Sequence, residues 1–450
     1  MSVPPRSRGS VGAQAEHSYL ARQVLLPIQA FVHTEATAGV ILLAAAVGAI
    51  IWANSPWDRS YSDLWETTIT VDVRLFSISE DLRLWINKGL MAFFFFVVGL
   101  EIKRELVHGE LGSPRRAALP AVAALGGMVL PALLFLALNA GGDGARGWGI
   151  PMAVDIAFAL GVLALLGRRV PSEVRIFVLA LAIADDIGAI LVVAIFYSEG
   201  FSLEALGVAL LLLGVIVAMN RAGVRGLNAY LLVGALFWVA VFKSGVHATI
   251  AGVVLGLLAP ASPYFSKRTF AESIGTLVAG FRRAIAQGDE ERAEVVLGQL
   301  EELTQGTEAP LERLERLFHP LTSYAVLPLF ALANAGLDLS GDVFKDAVSS
   351  SVTLGIILGL VVGNPLGIVG FSWVAVRLGI TSLPAGMRWA HMVGIGLLGG
   401  VGFTVSLFIT GLAFEDAELI SEAKVGILAA SVIAGLASYA FLRAVRMDQP

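Results

Sequence analysis

Leu179-Ala180-Leu181-Ala182-Ile183-Ala184-Asp185-Asp186-Ile187-Gly188-Ala189-Ile190 sets two adjacent carboxylates in the middle of an apolar run from about Ile176 to Phe196. As a helix, that run is long enough to cross a hydrocarbon core of roughly 30 Å. One ionisable group at that depth costs on the order of 2.5–3.5 kcal/mol on insertion scales, and two neighbours also repel each other. The pair therefore reads as a functional site. The rival reading is a buried ion pair that only fixes packing, but no lysine or arginine falls at midspan in any apolar segment, Lys243 near an end excepted.

The rest of the composition agrees with a membrane setting. The 450 residues are 56% hydrophobic and 15% charged, with 49 glycines, and the mean hydropathy is +0.79. Such values belong to polytopic membrane proteins, in which glycine is commoner than in soluble helices. The net charge of −5 is spread over loops and gives no reason to expect nucleic acid as a partner. With no cysteine there is no disulfide framework, thiolate metal site or cysteine nucleophile. No other nucleophile with a nearby base is visible at membrane depth, so an enzyme is not expected, nor any cofactor.

Apolar segments fall near residues 35–54, 84–102, 117–138, 149–166, 174–198, 202–219, 227–242, 245–259, 320–336, 352–376, 390–412 and 423–442. Each is near the length that a membrane-crossing helix needs, which gives about twelve spans in an all-α polytopic protein. Basic residues follow the even-numbered spans: Lys103, Arg104, Arg115 and Arg116; Arg168, Arg169 and Arg175; Arg221 and Arg225; Arg377 and Arg388; Arg443 and Arg446. The connections after spans five, seven, nine and eleven carry at most one each, so the even loops and both termini are expected on the cytoplasmic side; the loop after span one, with Arg59, Arg74 and Arg83, is the exception, and long loops obey the rule poorly. Residues 1–25 lack a signal-peptide pattern and are expected to be a cytoplasmic tail, with 447–450 as a short C-terminal one.

Two connections stand out. Thr68-Ile69-Thr70-Val71-Asp72-Val73-Arg74-Leu75 alternates apolar and polar side chains and predicts a strand of a small external β-hairpin over 68–79. A lone hairpin is marginal in water, so pairing with a second copy of the chain is the simplest way to support it. Residues 260–319 form the largest polar interruption, and their charge pattern with Pro260, Pro263 and Pro310 predicts a cytoplasmic amphipathic helix pair. It reads either as a regulatory lid or as a solvated connector.

Two spans carry signs of a break. Span four opens Gly149-Ile150-Pro151-Met152-Ala153-Val154-Asp155, with a proline in the first turn and an aspartate at depth. A helix that restarts near Asp155 would leave backbone dipoles and a carboxylate facing the protein interior, where lipid does not meet them. Asp155 also reads as an ordinary helix N-cap. Span eleven holds Gly394, Gly396, Gly399, Gly400 and Gly402, which permit either close helix crossing or a second break.

Asp155, Asp185 and Asp186 are the acids that hydropathy places at depth. Neighbours on a helix point about 100° apart, so Asp185 and Asp186 cannot aim along one line. A carboxylate there can hold a proton or, once ionised, bind a small hard cation through oxygen. Competition between the two for one site, with access alternating between the sides, suffices for cation/proton exchange. His247 could sense pH, since its free pKa lies near neutrality, or could be a satisfied core histidine. Glu101-Ile102-Lys103-Arg104-Glu105, at the end of span two, reads as an interfacial anchor.

Phe96-Val97-Val98-Gly99-Leu100-Glu101-Ile102-Lys103-Arg104-Glu105-Leu106, Asp155-Ile156-Ala157-Phe158-Ala159-Leu160-Gly161-Val162 and Ala182-Ile183-Ala184-Asp185-Asp186-Ile187-Gly188-Ala189-Ile190 closely resemble the NhaA sodium/proton antiporters. Lys243-Ser244-Gly245-Val246-His247-Ala248-Thr249, Phe330-Ala331-Leu332-Ala333-Asn334-Ala335-Gly336 and Gly400-Val401-Gly402-Phe403-Thr404 match in the same order. The resemblance runs from about Leu26 to Arg446, so 26–446, including 260–319, is expected to form one antiporter membrane domain. It implies an inverted-repeat bundle with two broken helices, spans four and eleven, crossing near the midplane. It also implies a bacterial inner-membrane homodimer that exports Na+ or Li+ for protons and is activated at alkaline pH, the ions being cargo and not cofactors.

By that resemblance Asp185 and Asp186 are the cation and proton site, and Asp155 with Asn364 supports the helix crossing. His247, Glu101, Glu105 and Glu315 fall on its pH-response positions. There are departures too. Gly363-Asn364-Pro365-Leu366-Gly367 puts asparagine where the family usually has a lysine, Val154 replaces a threonine before Asp155, and the 260–319 connection is longer than the family minimum. Without the lysine, exchange is electroneutral if that cation carries a second proton; two protons per Na+ survive if both acids release theirs. The same carboxylates also suit a K+/H+ or other cation exchanger, and a membrane pH sensor or scaffold that moves nothing stays open.

Overall fold

A computed structural model describes residues 26–445 except 74–75, 168–169, 199, 225–226 and 340. The expected tails, the end of the predicted strand at Arg74 and Leu75, and the loop charges Arg168, Arg169, Arg225 and Arg446 lie outside the described residues.

Helix dominates. In chain order the first elements are α1 (Leu26–Ala53), α2 (Asp58–Trp65), β1 (Thr68–Val73), β2 (Phe76–Asp81), α3 (Met91–His108) and α4 (Pro114–Asn139). A 3-10 helix (Asp143–Met152) leads into α5 (Ile156–Leu166), followed by α6 (Ser172–Phe196), α7 (Leu203–Arg221), α8 (Leu227–Lys243) and α9 (Ala248–Leu257). Then come α10 (Lys267–Gln287), α11 (Glu290–Thr307), α12 (Pro310–Leu321), α13 (Leu327–Asn334) and α14 (Gly341–Ser349). The last are α15 (Ser351–Leu358), α16 (Asn364–Arg377), α17 (Trp389–Leu398), α18 (Phe403–Ala413) and α19 (Ala417–Ala444). A π-turn over Gly359–Gly363 joins α15 to α16 just before Pro365, whose ring removes a backbone donor from the helical ladder.

Among the described residues, five continuous helices can cross a membrane by length and composition: α4, α6, α7, α15 with α16, and α19. Three more pairs reach that length only together across a bend. Two of these are the spans in which the sequence predicts a break: Asp143–Met152 with α5, bent 41°, and α17 with α18, bent 47°. The third is Thr37–Ala53 with α2, bent 115°. The predicted hairpin is present as an antiparallel pair, with Thr68 opposite Asp81 and Val73 opposite Phe76.

The chain divides into two compact units. The first takes the described parts of Met1–Arg83, Ala117–Ala189 and Ser323–Pro450. Its core gathers Leu119, Leu160, Leu163, Phe177, Leu181, Ile368, Ile395 and Leu442 from α4, α5, α6, α16, α17 and α19. There α4 crosses α16 backbone to backbone, since a Cβ on Gly126 would sit 2.2 Å from the Gly367 carbonyl oxygen. Small residues are what permit such an approach. Lys424, which the sequence reading passed over, donates to the Gly336 carbonyl at 3.0 Å and so neutralises the carbonyl end that follows α13.

The second unit takes Leu84–Arg116 and Ile190–Thr322. In it α3 lies against α9, where a Cβ on Gly252 would fall 2.0 Å from the Ala92 carbonyl oxygen. A separate cluster of Ala209, Ile216, Phe237, Val241 and Ala251 joins α7, α8 and α9. The amphipathic pair expected within 260–319 is α10 and α11, followed by α12.

Candidate functional site

The first unit holds the two interrupted spans side by side. Between the 3-10 helix and α5, Ala153 is extended at φ −85° and ψ 136°, and so is Asp155 at φ −89° and ψ 105°. The extended backbone frees amides and carbonyls that a continuous helix would consume, and each then needs a partner. The Asp155 amide donates to the Val401 carbonyl at 2.7 Å, inside the break of the other span.

The Asp155 carboxylate serves both helix starts. Its Oδ1 accepts from the Phe158 amide at 3.1 Å as the N-cap of α5. Its Oδ2 accepts from the Thr404 amide at 2.9 Å and from Thr404 Oγ1 at 2.6 Å, in the first turn of α18. Asp155 is thus the N-cap of α5 and is bonded at the same time to the start of α18. A single negative charge sits where the positive ends of two helices converge.

The opposite, carbonyl-bearing end of the 3-10 helix is held by neutral side chains. Ser406 Oγ donates to the Ile150 carbonyl at 2.8 Å, and Asn364 Nδ2 donates to the Pro151 carbonyl at 3.1 Å. Asn364 is fully buried. Its Oδ1 has no hydrogen-bond partner among the described residues, an arrangement that costs about 1–3 kcal/mol.

Asp185 reaches the same break from α6. Its Oδ2 accepts from the Val154 amide at 2.9 Å, so the departure to valine at 154 leaves a main-chain donor in place. Asp155, Asp185 and Asp186 are all at most 4% exposed. Asp186, next to Asp185 on α6, points about 100° away from it. One turn on, Gly188 leaves room for Met128 of α4, whose sulfur occupies the place of a Cβ.

The glutamates read as an interfacial anchor and pH-response positions behave differently. In the second unit Glu101, Glu105 and Glu315 are buried, which corrects the anchor reading of Glu101 and Glu105. Arg104 on α3 pairs with Glu315 on α12, and His319 Nε2 stands 3.7 Å from Glu101 Oε1. Glu105 Oε1 instead accepts from the Glu110 amide at 2.6 Å. Burial pushes the Glu315 carboxyl above the usual carboxylate range, against the lowering effect of Arg104 and His319.

Sequence reasoning missed Arg104 and His319 as members of this cluster. The available signal was helical spacing: Glu101 and Arg104 are i and i+3, and Glu315 and His319 are i and i+4. Thr404 was quoted in a motif without a role, because its partner lies 249 residues away. His247 is also in the second unit, before α9, where its ring bonds to the Tyr197 carbonyl.

Comparison with known proteins gives the same direction. The profile of the family described as Na+/H+ antiporter 1 matches residues 29–442. A Na(+)/H(+) antiporter NhaA 2 from Sorangium cellulosum is 44% identical over 428 residues, covering 95% of this chain and 91% of its own length. A Na(+)/H(+) antiporter NhaA from Rhodopirellula baltica is 45% identical, with 93% of this chain and 94% of the relative covered. One from Janthinobacterium sp. is 43% identical, covering 98% and 97%.

Proposed function

Because this chain belongs to the Na+/H+ antiporter family and is a sodium/proton antiporter, we propose that Asp185 and Asp186 are where its cation and protons compete. The observation that carries this reading is the bond from the Val154 amide to Asp185 Oδ2. It ties a buried acid on α6 to an interrupted span whose own acid, Asp155, binds the start of α18. With the pair ionised, carboxylate oxygens offer a small cation hard ligands; protonation removes them and releases the ion. Asp155 holds the two positive helix ends together while this happens, and Asn364 holds the carbonyl end with a neutral amide.

In this reading the chain makes twelve spans with inverted-repeat symmetry, in a bacterial inner membrane, with both termini cytoplasmic and 26–446 acting as one domain. Na+ or Li+ and H+ are its cargo. A salt-substitution series in everted vesicles tests the ion. Sodium and lithium should each dissipate an imposed proton gradient across pH 6 to 9 and potassium should not, while a response to potassium alone would replace the reading with K+/H+ exchange.

The homodimer forms through β1 and β2, whose short two-stranded sheet gains stability from a partner edge. Deleting residues 68–81 should convert the detergent-solubilised dimer to monomer; a dimer that survives the deletion overturns this role.

The pH response is assigned to Glu101, Glu105, Glu315 and His247. For Glu315 the sign follows from its raised folded-state value. Such a group contributes stability that is complete below the unfolded value, about 4.3, and is lost as pH rises through the folded value. Glu315→Gln should therefore flatten the decline of Tm between those two values. A Tm profile that keeps its slope there would contradict the assignment.

A further inference from the structure

Helices α10 and α11 form a hairpin in which most basic residues lie on α10 and most acidic ones on α11, Glu272 and Arg292 being the exceptions. Gly288, at φ +70°, ends α10, and Asp289 caps α11 by accepting from the Arg292 amide at 3.0 Å. The base is closed by the Tyr264 and Phe265 amides, which donate to the Gly306 carbonyl at 2.8 and 2.7 Å, and by the Leu311 amide on the Pro260 carbonyl at 3.1 Å. Exposed Lys267, Arg268, Arg282 and Arg283 lie on α10. Exposed Glu290, Glu291, Glu294, Glu301 and Glu302 lie on α11.

The partner helix covers one side of α10. Ala284 and Ala293 are buried, and a Cβ on Gly280 would meet Val296 at 3.9 Å. At 100° per residue, Phe270, Ile274, Phe281 and Ile285 fall on a stripe beside that contact, with Lys267 and Arg282 at its other edge; Arg268, which bonds Glu272 at 2.8 Å, and Arg283 lie further round the helix. Phe270, Ile274 and Phe281 are half-buried, and Ile285 is 59% exposed. An occupant for this stripe has to accept apolar side chains and carry negative charge alongside them.

We propose that α10 lies on the cytoplasmic leaflet, with this stripe at the boundary of headgroups and acyl chains and Lys267 and Arg282 on anionic lipid phosphates. The proposal rests on the membrane orientation given by the loop charges. A basic amphipathic helix is suited to such a surface, whose anionic lipids attract Lys and Arg within a Debye length. Tethering supports the same occupant: α9, an apolar helix of the membrane domain, ends at Leu257, so few residues separate the bilayer from Lys267. Tyr264, 66% exposed in that link, is the kind of residue that settles at headgroup level. The acidic α11 is then the helix turned to water.

The chain has no cysteine, so a spin label placed at Ile285→Cys or at Leu297→Cys reports one position in the full-length protein. Leu297 lies on α11 and is 54% exposed. In nanodiscs containing phosphatidylglycerol the label at 285 should become several-fold more accessible to oxygen than to an aqueous nickel reagent, while the label at 297 stays aqueous. Nanodiscs of phosphatidylcholine alone should weaken the shift. So should Lys267→Gln and Arg282→Gln together, each basic residue near the surface being worth about five-fold in binding. An aqueous label at 285 in both lipids overturns the proposal, and spin–spin broadening between labels at 285 assigns the stripe to a second copy instead. Sodium/proton exchange in proteoliposomes from the same preparations reports separately on the transport reading.

Discussion

Asp185→Asn and Asp186→Asn are each expected to abolish sodium-induced proton movement in everted membrane vesicles. Asparagine keeps the size of the side chain and at 185 can still accept from the Val154 amide, so the fold has little reason to change. What it loses, in the proposed mechanism, is the charge that would hold a cation and the oxygen that would take a proton at working pH. The expected loss is therefore complete and not a shift in KM. Protein levels and Tm close to those of the parent would show that the loss is chemical. Exchange retained by both variants would remove the pair from the mechanism.

Asn364→Lys should make the exchange rate sensitive to an imposed membrane potential, whereas the parent rate should be insensitive to it. In the parent, the carbonyl of Pro151 is held by an uncharged amide. An ammonium at 364 can make the same bond and adds a titratable cation to the unit that carries Asp155, Asp185 and Asp186. If the transport cycle then moves one net charge, 100 mV is worth about 2.3 kcal/mol, or roughly 50-fold in the gradient that can be held. Measurement in proteoliposomes with a potassium diffusion potential decides the matter. A parent protein that already responds to the potential would show that both acids release protons and that Asn364 is neutral in the charge balance.

Much of this site was legible because its signals are local. Asp185 and Asp186 announce themselves by their cost in an apolar run, and Pro151 and Gly399–Gly402 mark the two breaks by what they do to backbone geometry. The strand at 68–73 shows in its alternation, and the paired helices of 260–319 in their charge and prolines. Arg104 and His319 were less legible, since an anchor at a membrane edge and a buried ion-pair cluster use the same residue types. Lys424 lies close enough to a helix end to pass as a surface charge, yet it caps a carbonyl.

The sequence by itself determined that this chain is a helical membrane protein of the sodium/proton antiporter type, which acids fall within apolar runs and which spans are interrupted. Hydropathy, period and breakers act over neighbouring residues, so they can be read along the chain. Only the tertiary structure decided that Asp155 caps α5 and binds Thr404 at the same time, that Asp185 takes the Val154 amide, and that Asn364 stands on the Pro151 carbonyl. Each of these bonds uses a backbone group, or joins residues far apart in sequence, and a main-chain amide carries no side-chain signature. Their existence depends on two broken helices being packed against each other, which is a property of the folded unit and not of either segment.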